Sequence, residues 1–108
     1  MRIMNVWAAG LLAGTLITTV AYAEAVQVTQ KDKTFAPDTI SASVGTVVHV
    51  ANDDSVVHNV LITSPDSSVH NTGMQKVGEG LDIVLDKAGD YQVRCGIHPK
   101  MKLTITAR

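Results

Sequence analysis

The chain has 108 residues, 45% of them hydrophobic but only 4% aromatic, with nine Lys and Arg against ten Asp and Glu. It has no basic run, and Phe35 and Tyr91 are the only aromatic side chains beyond residue 23, so neither a phosphate-tracking patch nor a base-stacking platform is present and no nucleic-acid partner is expected. Its single cysteine, Cys95, excludes an internal disulfide.

Residues 1–23 have the pattern of a secretory signal peptide. Arg2 is a charged start, Val6 to Val20 is mostly apolar, and Ala21-Tyr22-Ala23 is a small-x-small cleavage triplet. The uncharged run from Ile3 to Ala23 is also long enough for a membrane anchor, but its three threonines, two glycines and the triplet favour cleavage after Ala23. The expected product is one exported domain, residues 24–108, in the periplasm and free of the membrane. It is large enough for one modest core. Exported free thiols are consumed unless buried, paired with another chain or bound to metal, so the survival of Cys95 needs a reason.

Alternation with a period of two runs through residues 24–108. Val26 and Val28 alternate with Gln27 and Thr29; Ile40, Ala42 and Val44 alternate with Ser41 and Ser43 before a turn at Gly45. Thr46 to Asn52 and His58 to Ile62 are the next predicted strands. Residues 63–80 lack clear alternation and should hide a short strand or a turn of helix, since a structureless loop of that length is uncommon. Leu81, Ile83 and Leu85 form another apolar face, with Val84 interrupting the polar one; Tyr91, Val93 and Cys95 follow, and then Met101, Leu103 and Ile105. No amphipathic helix or repeat interrupts this pattern. The expected fold is all-β, a Greek-key β-sandwich of seven to eight strands.

Parity places the sulfurs of Cys95 and Met101 on inward faces, at the ends of two strands joined by Gly96 to Lys100. His98 lies in the middle of that loop, beside Pro99, which restricts its backbone. Each residue alone has a plain explanation: a buried cysteine, a core methionine, a solvated histidine. Together they put thiol, imidazole and thioether within seven residues. Zinc gains little from a thioether, whereas copper accepts thiolate, imidazoles and a weak axial methionine in a trigonal site. A second histidine is required. His58, opening an apolar strand, is preferred to His49 in mid-strand and His70 in the long unpatterned segment.

"HNV" at 58–60 and "GDYQVRCGIHPKMKLTI" at 89–105, with "FAPDTISASVGTVVHVAND" at 35–53, resemble the small blue copper proteins, or cupredoxins, and the two-residue gaps from Cys95 to His98 to Met101 are similar to an amicyanin loop. The resemblance covers most of residues 24–108. It implies one type 1 copper held by His58, Cys95, His98 and Met101. It also implies that Asn52 ties the two ligand-bearing segments together and that the Asn59 amide points at the Cys95 sulfur. Ile97 stands where the family usually has proline, and its N–H could give the sulfur a second hydrogen bond.

The implied function is a monomeric electron carrier, not an enzyme, that passes single electrons to redox partner proteins docking near His98. Gly96, Ile97, Pro99 and the turn at Ser64-Pro65 are candidates for the docking patch. A copper-buffering or copper-delivering protein would use the same ligands and is the alternative.

Overall fold

A computed structural model of the chain describes residues 25–108; the expected signal peptide and its cleavage point lie outside the described residues. Nine strands run in chain order: β1 Ala25–Lys31, β2 Thr34–Ala36, β3 Thr39–Ala42, β4 Val47–Asn52, β5 His58–Thr63, β6 Val69–Gln75, β7 Gly80–Val84, β8 Gly89–Cys95 and β9 Lys102–Ala107. They form two mixed sheets, ordered β2-β1-β4-β7 and β3-β9-β8-β5-β6. The fold is a cupredoxin-type β-sandwich. No described helix is long and apolar enough to cross a membrane.

Inward residues of both sheets fill one core. Val28, Val48, Val50 and Ile83 of the first sheet face Val60, Ile62, Tyr91, Val93, Leu103 and Ile105 of the second. This is the alternation that the sequence predicts, made visible by burying one face of each strand. Nine strands are one more than the upper bound expected. β2 is only three residues long, too short for periodicity to reveal, whereas β6 is the strand expected within the unpatterned 63–80 segment. Neighbouring residues Val69, His70 and Asn71 of β6 are all exposed, so no face of that end of the strand is marked by apolar residues. Val44 is exposed rather than inward, because β3 stops at Ala42 and Gly45 turns with φ +98°.

One end of the sandwich collects the chemistry. β5 begins there with His58, β8 ends there with Cys95, and β9 departs from there after Met101. The β1–β2 hairpin turn reaches the same end. Its two central residues, Asp32 and Lys33, have φ of 52° and 58°, the mirror-image turn whose twist suits a two-residue hairpin. Ser64-Pro65 lies at the opposite end: β5 pairs antiparallel with β8 so that Val60 faces Cys95 while Thr63 faces Gln92, and Pro65 packs against Gly89 at the start of β8. The expectation that this turn belongs to the docking patch is therefore corrected.

Candidate metal centre

Four donor side chains reach the site from three places in the chain. His58 is the first residue of β5 and fully buried; Cys95 is the last of β8 and buried. His98 comes from the connecting loop and is partly exposed. Met101, buried just before β9, closes that loop by donating its N–H to the His98 carbonyl at 3.0 Å. The result is a tight turn with Pro99 at its second position, where its fixed φ fits.

The separations define a small triangle. His58 Nδ1 and His98 Nδ1 are 3.1 Å apart, and the Cys95 Sγ lies 3.7 Å from the first and 3.5 Å from the second. The centre of the circle through these three atoms is about 2.0 Å from each, close to the roughly 2.0–2.3 Å that nitrogen and sulfur ligands take around a transition-metal ion of this size. The described donors therefore fit a metal of copper's size without rearrangement. Among the described residues, this is the one cluster of three His, Cys, Asp or Glu side chains that could hold a metal.

The polar frame behind the donors is fixed. The Asn59 N–H donates to the Cys95 Sγ at 3.3 Å, and the Asn59 carbonyl accepts from Gly96 N–H at 2.9 Å. One peptide position of β5 thus clamps both sides of the cysteine. His58 turns its Nε2 to the buried carboxylate of Asp54, 3.0 Å from Oδ2. An ionised carboxylate only accepts, so the ring proton sits on Nε2 and the Nδ1 lone pair faces the triangle. The amide of Lys33 foremost, then those of Ser55 and the His58 ring, hold the Asp54 carboxyl down at about 2 against the opposing effect of burial. Asp54 was not among the residues singled out from sequence. Its one visible signal is its place four residues before His58, and only the bend of the 53–57 loop turns it inward.

Asn52 is buried as a site residue should be, but its bonds differ from the expectation. Its Nδ2 donates to the carbonyls of Val56 and Gln75, both at 3.0 Å, and its Oδ1 accepts from the Asp54 N–H at 3.0 Å. All three bind the approach to His58 and β6, and none goes to the Cys95–Met101 segment. Ile97 also departs: the polar groups within hydrogen-bonding range of the sulfur are the Asn59 amide and the two histidine rings, and Ile97 is 47% exposed. His49 points away from the core and pairs with Asp82 at 2.6 Å, and His70 is exposed on β6. Neither joins the cluster.

Known proteins show the same architecture. The sequence profile of the cupredoxin-like domain matches residues 3–107. The methylamine utilization protein MauL of Methylophilus methylotrophus is 26% identical over 81 residues, which make up 73% of this chain and 47% of that protein; the chain thus spans about half the length of this curated relative. A purple cupredoxin from Nitrosopumilus maritimus superposes with a TM-score of 0.67 at 24% identity, over 77% of this chain and 99% of its own. Amicyanin from Paracoccus versutus gives 0.71 at 22%, over 80% and 83%. At these identities the structural likenesses speak for the fold. With His58, Cys95, His98 and Met101 arranged on that fold like a type 1 copper ligand set, and with the domain profile spanning nearly the whole sequence, the chain belongs to the cupredoxin-like family, whose cofactor is copper.

Proposed function

We propose that this chain is a periplasmic electron carrier, exported by way of residues 1–23 and acting as a monomer, in which His58, Cys95, His98 and Met101 hold a single copper. Bound copper supplies a one-electron couple. The observation that carries the reading is the buried thiolate–imidazole triangle with one corner, His98, reaching the surface. Soft sulfur suits Cu(I), imidazole suits both states, and a trigonal set needs little rearrangement between them. The Asn59 amide keeps the sulfur in place, and burial keeps water from the thiolate. His98 gives the electron a route outward between exposed Ile97 and Pro99. Exposed Val57 and Met74, beside His58 and opposite Asn59, extend the apolar rim on which redox partners dock.

Loading with Cu(II) tests the reading. The protein should become intensely coloured through thiolate-to-copper charge transfer. Cys95→Ser should abolish the colour and His58→Ala disrupt it, while His49→Ala and His70→Ala keep it. Colour lost in His70→Ala but kept in His58→Ala would overturn the ligand assignment. A fast reversible couple supports the carrier; copper passing readily to an apo-acceptor protein would point to metal delivery instead.

A further inference from the structure

Buried carboxylates are costly unless fully partnered, and Asp54 is 7% exposed, directly behind His58. Its partners are few and fixed. Oδ2 accepts from the Lys33 N–H at 2.8 Å and faces His58 Nε2 at 3.0 Å; Oδ1 accepts from the Ser55 N–H at 2.8 Å. Asp54's own N–H is held by Asn52 Oδ1. The carboxylate is thus pinned by the β1–β2 turn on one side and its own loop on the other. A hydroxyl or carbonyl at this place would also accept from Nε2, without the cost of burying a charge. The charge, then, requires an explanation beyond capping the loop.

We propose that Asp54 is a positioning residue for His58: it fixes the ring's tautomer and orientation and raises the donor strength of Nδ1, biasing the copper couple toward Cu(II). The inference rests on the copper-carrier reading above. An anionic acceptor on the far nitrogen pushes electron density through the imidazole, and outer partners of this kind govern ligand basicity and metal affinity by about 10–100-fold. The divalent ion gains more from a stronger donor than the monovalent ion does. The bias therefore lowers the reduction potential relative to the same site with a neutral acceptor. Asparagine is the informative replacement. It keeps the shape, removes the charge, and cannot accept from Lys33, Ser55 and His58 together, because one end of the amide only donates.

The test compares copper-loaded wild type with Asp54→Asn by voltammetry and visible absorption. The expected result is retained colour with a higher potential in the variant. A tenfold greater loss of affinity for Cu(II) than for Cu(I) corresponds to a rise of about 59 mV in a one-electron couple. A coloured variant with the wild-type potential, or a lower one, would overturn the proposal and leave Asp54 a loop cap. Should the variant not fold, nitrogen-15 NMR of the Cu(I) wild type decides: the His58 ring must show a slowly exchanging proton on Nε2. A bare Nε2, or one exchanging at solvent rates, overturns the proposal without any variant. A wild type that takes up Cu(II) without colour would instead sink the copper-carrier reading itself, so the two failures are distinct.

Discussion

Replacing Tyr91 with phenylalanine should weaken the fold and leave the metal site untouched. The Tyr91 ring is 2% exposed, and phenylalanine keeps its apolar burial. What is lost is the hydroxyl, which donates to Asp86 Oδ1 at 3.0 Å and accepts from the Lys87 N–H at 3.0 Å. Asp86 is mostly exposed, so its bond contributes little. The larger cost is the Lys87 amide, left without its partner in the β7–β8 turn. Orphaning such a donor costs about 1–3 kcal/mol, and about 1.5 kcal/mol is reasonable for this partly wet position. In a domain of this size, that lowers the melting temperature by about 6–12 °C. Tyr91 is four strand positions from Cys95, roughly 13 Å at the usual rise, so colour and potential should not move.

Thermal melting of wild type and Tyr91→Phe, each metal-free and copper-loaded, measures this. A second axis comes from pH. Burial first, with the Asp86 carboxylate adding to it, raises the Tyr91 hydroxyl above its ordinary 10.0. A folded value above the unfolded one gives stability that is fully present below pH 10 and lost as pH rises through the folded value. Phenylalanine has none of this to lose, so the gap between the two proteins should narrow above pH 10. Equal melting at neutral pH, or a changed copper spectrum, would refute the reasoning.

Copper itself should stabilise the fold by mass action, since its three closest donors come together only in the folded chain. Free copper held at 100 times its dissociation constant adds about 2.7 kcal/mol, which should appear as a rise of more than about 10 °C in melting temperature; equal melting of the two forms would argue against a preformed site. Ile97→Pro should leave the potential where it is, because the Asn59 amide, not that of Ile97, reaches the sulfur. A clear fall in potential would show that the Ile97 N–H does turn to Cys95 in the copper-loaded protein.

Much of this site was legible in the chain because it depends on short-range rules. Period-two alternation assigns each residue of a strand to a face, so the inward sulfurs of Cys95 and Met101 follow from Tyr91, Val93, Leu103 and Ile105. Spacing within one loop brings His98 between them, because five residues, one of them a proline, leave the chain little freedom. The same local rules located seven of the nine strands. They did not reveal β2, which is too short to carry a period, or the bounds of β6, whose exposed end carries no apolar face. Everything that depends on register came from the tertiary structure. The antiparallel pairing of β5 with β8 brings His58 to Cys95 and carries Pro65 to the far end, while the exposed face of β4 takes His49 away. Backbone direction in the loops decided the rest: Asn52 spends its bonds on Val56, Asp54 and Gln75, the Ile97 amide misses the sulfur, and Asp54 folds under His58 to meet an amide from a hairpin 21 residues earlier. Side-chain parity is written two residues at a time, but a hydrogen bond between distant segments exists only once both sheets have closed over the core.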